Sequence, residues 1–518
     1  MLLKEYLNSP DINLNLYSIY IIKQFLIKNN FEEKSIKILI EQLNDEILLL
    51  LSSLLNKNNN SLSSEILIIL INISYPLEGE MLFGNEEKVI TNFANFLGNN
   101  KTNINLLYYG ILLIKNITSK NSLVKQILQN YNIIQFFNEI YENYLLDANF
   151  INNIILCIGH FINSRFDNNR NILSSIKIIK TQLVKNIPVR NLVEYVYILY
   201  NLSLSKNTQT YEAMVKYEVE KNLMDIYPFE NDIKIKELNE ENNNSINIEE
   251  KNITENNYQN LRLLILKILG KIMSSENNDE ITQKVVDSGI AKFLNKVLQT
   301  NNIKIIKNVF FCASNICAGT YGQISNLYDN GTMFELIKAA KSIYDSLDNN
   351  NFINSTIRTD YIKAFKEINY VISLTIMNSL YERLIPLTKY QNYTIILILL
   401  KGLRFFDDLN TSNNKLLLIY ILNAISKLID YDNTEDENEP QMFTGVNFRE
   451  FLAQHAFKEI LEKLQTNGDE NIVDLAEQIY DKLYDDDDSD NNINIDDIVN
   501  EKNSDYDKDN DFDNDDNY

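Results

Sequence analysis

Apolar residues recur along this chain at i, i+3 and i+4 spacing, which is how a helix with one buried side is written. In SEILIILINIS (64–74) and LLLIYILNAISKLI (416–429) they run nearly all the way round, as suits a helix covered by neighbours on most sides. With 13 glycines and 6 prolines in 518 residues there are few places for such helices to break. The pattern predicts an all-α chain. At this length one compact core is not enough, so several domains or an elongated repeat is expected.

The helices resemble one another. IILINIS with Asn72, ILLIKNITS with Asn116, ILCIGHFINS with His160, YILYNLSLS with Asn201, KILGKIMSS with Lys271 and FFCASNIC with Asn315 each place a polar residue late in an apolar helix, just before a short polar break. Successive steps between those residues are 44, 44, 41, 70 and 44 positions. The long step contains residues 230–257, a 28-residue acidic, Asn-rich stretch, without which it shortens to 42. A period of about 40 to 47 residues is that of armadillo and HEAT solenoids, which stack two or three helices per unit. Such units bury their apolar faces against each other and wind into a right-handed superhelix with a long concave surface. The fold class expected is therefore an all-α, armadillo-repeat right-handed α-solenoid. The expected division is N-terminal repeats over 1–229, an insertion without stable structure at 230–257, C-terminal repeats over 258–484 and an acidic tail without stable structure at 485–518. The eighth repeat looks short, because only 31 positions separate Leu374 from the similar place near Phe405.

A polar residue recurring at one place on the last helix of each unit is not forced into the core. An Asn amide both donates and accepts, so a ladder of them can hold the backbone of an extended peptide without reading its sequence. Aromatics one turn earlier, Phe311 before Asn315 and Tyr197 before Asn201, would wall the aliphatic stems of a guest and attract cationic heads. Asn is so common in this chain that no single one argues for a role. The recurrence carries the argument.

Charge changes the picture less than its total suggests. Residues 485–518 carry 15 acids and 2 lysines, residues 230–257 carry 8 acids and 3 lysines, and residues 430–439 carry 6 acids and no base. These segments account for −24 of a net −23, so the rest of the chain is near neutral and its net charge predicts no long-range attraction of basic partners. No basic patch with interleaved aromatics points to nucleic acid. Cys157, Cys312 and Cys317 have neither disulfide nor zinc-ligand spacing, and His160 and His455 belong to no catalytic motif. No nucleotide-binding or nucleophile-elbow motif is present, so no enzyme, cofactor or metal is expected. No apolar run reaches the roughly 18 residues that span a bilayer, and the first residues lack a signal-peptide layout, so a soluble intracellular protein is expected.

With the repeat in place, KNVFFCASNICAGTYGQISNLYDNG (307–331) resembles the seventh repeat of importin-α (karyopherin-α) in its Ser-Asn pair, Ala-Gly, Gln-Ile and closing Gly. ITQKVVDSGIAKFLNKVLQ (281–299) is similar to the segment before it and KEINYVISL (366–374) to the eighth repeat, while residues 455–488 resemble the family's last helices and acidic end. Weak resemblance covers 16–490. It implies an adaptor that binds basic, Lys- or Arg-rich localisation peptides of cargo for nuclear import, working as a monomer in cytoplasm and nucleus, with transport receptors as further partners and no contact with membrane or nucleic acid. The peptide-binding positions it implies are Phe311, Asn315, Tyr370, Asn72, Asn116, Tyr197 and Asn201. The departures are as specific. The family's groove tryptophans are absent, with Ile68, Leu112, Leu156, Tyr197, Phe311 and Tyr370 in their places, and His160, Lys271 and Leu374 replace asparagines. Lys120 stands where the family has an aspartate for the key cargo lysine, and the first arginine is Arg165, so the family's Arg-rich opening segment has no counterpart. The alternative is an armadillo scaffold for other protein partners, outside transport.

Overall fold

A computed structural model of the chain describes residues 2–30, 32–37, 46–74, 87–119, 121–162, 169–204, 208–229, 248–274, 279–348, 355–408, 412–432 and 448–484. The expected tail at 485–518, residues 230–247 of the expected insertion, and Lys120 lie outside them. The described residues form helices joined by short turns: α1 (Leu2–Leu7), α2 (Ile12–Lys28), α3 (Glu46–Leu54), α4 (Asn60–Ser74), α5 (Glu87–Asn99), α6 (Ile104–Thr118), α7 (Ser122–Asn130), α8 (Ile133–Asn143), α9 (Ala148–Ile162), α10 (Asn169–Lys180), α11 (Val189–Ser203), α12 (Thr208–Lys216), α13 (Val219–Ile226) and α14 (Ile248–Met273). There follow α15 (Asp279–Asp287), α16 (Ile290–Val297), α17 (Ile303–Cys317), α18 (Tyr321–Asp329), α19 (Thr332–Asp348), α20 (Ser355–Asn378), α21 (Tyr381–Lys389), α22 (Thr394–Asp408), α23 (Ser412–Asp432), α24 (Phe448–Gln454), α25 (Phe457–Leu464) and α26 (Glu470–Tyr484).

Two local devices recur and make the unit. The first is a cap. Asn59, Asn103, Asp147 and Asn302 each accept a backbone N–H from the first turn of the helix they precede, satisfying a donor that has no partner inside the helix. Each stands 13 residues before the late polar position of its helix, at Asn72, Asn116, His160 and Asn315. The cap thus repeats with the same period as the residue it anticipates. The second device is a corner. Asn132, Glu218, Gly289 and Gly331 adopt left-handed backbone between α7 and α8, α12 and α13, α15 and α16, and α18 and α19. A left-handed residue stops one helix and turns the chain into the next within a single position.

The chain forms two compact units, Met1–Gly445 and Val446–Tyr518. In the first, the helix that closes each repeat stacks on its counterpart in the next: α2 on α4, then α6, α9, α11, α14, α17, α20 and α23 in turn. The preceding helices make a second layer in the same order, with α8 on α10, α10 on α12, α12 on α15 and α15 on α18. The core lies between the layers and between successive closing helices, and is built largely from Ile, Leu and Phe, with Phe161, Phe310 and Phe365 fully enclosed. In the second unit α24, α25 and α26 repeat the layout on their own, with Ala456 at the left-handed corner.

Three expectations change. The boundary at 229 and 258 divides nothing, since α11 stacks directly on α14 within one unit. Residues 248–257 are the opening turns of α14 rather than a stretch without structure. The eighth repeat is not short. The helix that stacks on α20 is α23, so Phe405 on α22 is not the counterpart of Leu374. Tyr420 lies against Tyr370 instead, with ring centroids 6.0 Å apart and 50 positions between them.

An L-residue in left-handed backbone costs roughly 1–2 kcal/mol that glycine avoids. Ala456→Gly is expected to gain stability, and Gly289→Ala, at φ 96° with open space around its missing Cβ, to lose about 1 kcal/mol. Urea unfolding midpoints that move together, or in the reverse sense, would contradict the role of the corner.

Candidate functional site

Each closing helix leaves one narrow stripe uncovered. On α6 it runs through Tyr108, Leu112 and Asn116, on α11 through Tyr197 and Asn201, and on α17 through Lys304, Lys307, Phe311 and Asn315, while most of the residues between are buried. A spacing of three or four places these on one face. All seven residues singled out from the sequence stand on such stripes. Asn72 and Asn116 are on the adjacent helices α4 and α6, Tyr197 and Asn201 share α11, and Phe311 and Asn315 on α17 neighbour Tyr370 on α20. Tyr197 is 46% exposed, and the others are half-buried.

The asparagines serve the stack first. Asn116 Nδ2 donates to the Ile71 carbonyl (3.4 Å) and the Ser74 hydroxyl (3.1 Å) of the preceding closing helix. Asn315 Nδ2 donates to the Gly270 carbonyl at 3.3 Å and, within its own helix, to that of Phe311 at 2.8 Å. Asn72 donates to the Ile68 carbonyl at 2.8 Å. Both amide hydrogens of Asn315 are thus engaged, whereas its Oδ1 and that of Asn116 accept no hydrogen bond among the described residues. What the ladder offers a guest on these two rungs is an acceptor.

Where Asn is replaced, the stitch persists in another form. Thr118 spends its hydroxyl proton on the Ile114 carbonyl (2.7 Å), so in the 3.1 Å contact with His160 Nδ1 the ring must donate. Burial first, then Lys125 and Lys115, push the imidazole down to about 4, so it is neutral near pH 7 with its proton on Nδ1. Beyond Leu374, Asn378 takes over one turn later and donates to the Cys317 carbonyl at 2.9 Å. Lys427 on α23 does the same for the Met377 carbonyl at 2.6 Å. Cys157 and Cys312, three before His160 and Asn315, donate to the Ile111 and Leu266 carbonyls (3.6 and 3.3 Å). They are fully enclosed, and burial raises both thiols. Gly270 lets the helices meet: a Cβ there would lie 2.3 Å from the Phe311 ring.

The sequence reading missed the charge of the stripe. From residue 258 of α14 through α17 and α20, Lys267, Lys271, Lys304, Lys307, Lys363 and Lys366 lie on the uncovered side, interleaved with Phe311 and Tyr370. The acids on α17, on α20 and on α14 from residue 258 are Asp360 and Glu367. Glu367 is pushed up to about 7 by burial, against the pull of Lys307 and Lys366. Burial pulls Lys307 below the ordinary lysine range, with Glu367 opposing and Lys363 and Lys267 reinforcing the shift. A helical count of lysines on one face would have found this; a net charge averages it away.

No protein-family model matches the chain, and no curated protein matches it. Solved structures do. A β-catenin structure from a study of a phosphorylation switch controlling its interaction with cadherin aligns over 93% of this chain and 85% of its own, at a TM-score of 0.62 and 11% identity. An engineered protein solved by a structural genomics consortium aligns over 93% of this chain and 98% of its own, at a TM-score of 0.55 and 14% identity. The fold is an armadillo-repeat α-solenoid. Among the described residues no group of His, Cys, Asp and Glu could hold a metal, and no helix is long and apolar enough to cross a membrane.

His160 makes the stitch sensitive to acid. Its folded pKa lies below the ordinary 6.5, so between 6.5 and about 4 the unfolded chain takes up a proton that the folded one refuses, and stability falls as pH falls. The full loss is on the order of 3 kcal/mol. His160→Asn, which restores the residue found at this place on α6, is expected to remove that loss. A stability difference between the two proteins that stays constant from pH 7 to 4 would contradict it.

Proposed function

We propose that this protein is an interaction scaffold that holds an extended segment of a partner protein along the stripe of its closing helices, with Tyr197, Phe311, Asn315 and Tyr370 at the centre. The observation that carries the reading is the continuous stack from α4 to α23, whose helices each leave one narrow, half-polar stripe uncovered. Repeat stacks present such surfaces to extended partners, and asparagine acceptors at one register on α6 and α17 suit backbone N–H groups spaced along a strand. Aromatic side chains beside them add rigid apolar area at low entropic cost.

A finer reading, an adaptor that carries basic localisation peptides into the nucleus, draws support from the motif at 307–331 and from the nearness of Phe311, Asn315 and Tyr370. Lys307 and Lys366, one turn before Phe311 and Tyr370, oppose a basic guest there, since like charges brought close cost affinity. Calorimetric titration with a basic localisation peptide at low salt separates the two. Binding that weakens about tenfold in Tyr370→Leu would favour import; absence of binding would leave the scaffold.

The scaffold reading is tested by a photo-cross-linking residue placed in turn at Tyr197, Tyr370 and, as a control beside α8, Tyr131, which is 41% exposed. Partner segments that cross-link from 197 and 370 and map to extended sequence are expected. Partners captured from 131 alone would overturn the reading.

A further inference from the structure

We infer that the stripe of α14, α17 and α20 is a docking surface for an acidic extended peptide, one that carries a carboxylate at about every third residue with apolar side chains between. The inference rests on the scaffold reading and adds the chemistry of the partner.

The charge is segregated along the stack. The stripes of α4, α6 and α9 carry Ser64, Ile68 and Asn72, then Tyr108, Leu112 and Asn116, then Asn152, Leu156 and His160, with a neutral imidazole at the end. From α14 onward the equivalent places hold Lys267 and Lys271 on α14, Lys307 on α17 and Lys366 on α20, and one turn earlier on the same stripes stand Lys304 and Lys363. A near-neutral body has no need to set Lys304, Lys307 and Lys363 close together on one face of adjacent helices, because mutual repulsion makes that arrangement unfavourable unless something anionic meets it. Among the described residues neither Asp360 nor Glu367 forms an ion pair with Lys304, Lys307 or Lys363. Glu367 is almost enclosed, 9% exposed, and it and Asp360 both favour the charged form of Lys307. None of the ion pairs of the described residues, such as Lys101–Glu139, Lys177–Glu142, Lys284–Glu280 and Lys338–Glu335, involves Lys304, Lys307 or Lys363. Lys304 and Lys363 are exposed, so their ammonium groups can reach a guest.

Spacing sets the partner's pattern. Packed helices lie about 8–10 Å apart, and an extended chain advances about 3.3 Å per residue, so a guest crossing the stripe meets a new helix every third residue. Each crossing offers it an ammonium pair and, on α17 and α20, the neighbouring ring of Phe311 or Tyr370. Six or seven residues are enough to span the three helices. Lysine stems lying along the rings would add apolar contact while their heads meet carboxylates.

The test uses the full chain and three labelled synthetic 12-residue peptides that differ only at every third position, carrying Glu, Gln or Lys, with fluorescence anisotropy read at about 50 and 300 mM salt. The Glu peptide is expected to bind and to weaken at the higher salt. The pair Lys304→Glu and Lys363→Glu, both exposed and therefore safe for folding, should weaken it at least about tenfold. The control pair Lys284→Glu and Lys338→Glu, on α15 and α19, should change it less than about twofold. Equal binding of the Gln peptide, indifference to the Lys304 and Lys363 changes, or tighter binding of the Lys peptide would each overturn the inference. So would failure of all three peptides to bind. If cross-linking from 197 and 370 still captured extended segments, the scaffold reading would survive while its acidic partner would not.

Discussion

The carbonyls in the last turn of a helix have few donors inside it, and in this protein the next repeat supplies further ones. Ile71, Gly270, Cys317 and Met377 lie in the last turns of α4, α14, α17 and α20, and their carbonyls receive the side chains of Asn116, Asn315, Asn378 and Lys427. His160 reaches Thr118, in the last turn of α6, by the same route. The Ile71 carbonyl also accepts from the Ser74 hydroxyl and that of Gly270 from the Ser274 N–H, so the cost of about 1–3 kcal/mol for a carbonyl left unpaired applies to Cys317 and Met377, and at every stitch the bond favours one register and one closeness of neighbouring repeats. Apolar burial drives the stack together without saying how far one helix should slide along the next. The polar stitch does say it, and that explains why a position late in most of the closing helices stays polar in a largely apolar setting.

The period of that position was legible in the sequence because it is set by the stack itself. So was the helical class, through apolar spacing and the scarcity of breakers. The caps at Asn59, Asn103, Asp147 and Asn302 repeat on the same period and could have been read beside it; the abundance of Asn hid them. The motif at 307–331, the strongest point of likeness to a transport family, turns out to be built largely for packing. Gly319 makes room for Gln323, whose Oε1 a Cβ at 319 would approach to 1.8 Å. Gln323 Nε2 in turn donates to the Asp279 carbonyl at the start of α15, and Gly331 turns the corner in left-handed backbone. Such residues identify a way of stacking helices, which is a property of the fold and not of a ligand. The last closing helix was misplaced because α22 and α23 are both apolar on most sides, and periodicity cannot say which of two such helices joins the row.

Function was less legible for a related reason. The residues that a likeness would assign to peptide binding are the ones the stack already uses, so their identity is explained twice over. The charge of the stripe is explained by neither packing nor the likeness. Lys304 and Lys363, at stripe positions of α17 and α20, are exposed, and Lys307 sits half-buried at some cost to its charge. Residues that the fold does not require are the better guide to a partner. Along this stack they begin where the neutral stripes end.

The account stands or falls on which side of each closing helix is uncovered. Cysteine scanning along α17 tests this most directly: single cysteines are placed from 303 to 318 and the rate of thiol labelling is read in the native protein. Fast labelling is predicted at 304, 307, 311, 315 and 318, a period of three to four, with the native Cys157, Cys312 and Cys317 protected until the protein unfolds. Uniform labelling along the helix, or native cysteines that react as fast as position 311, would mean that the stripe is not the open face.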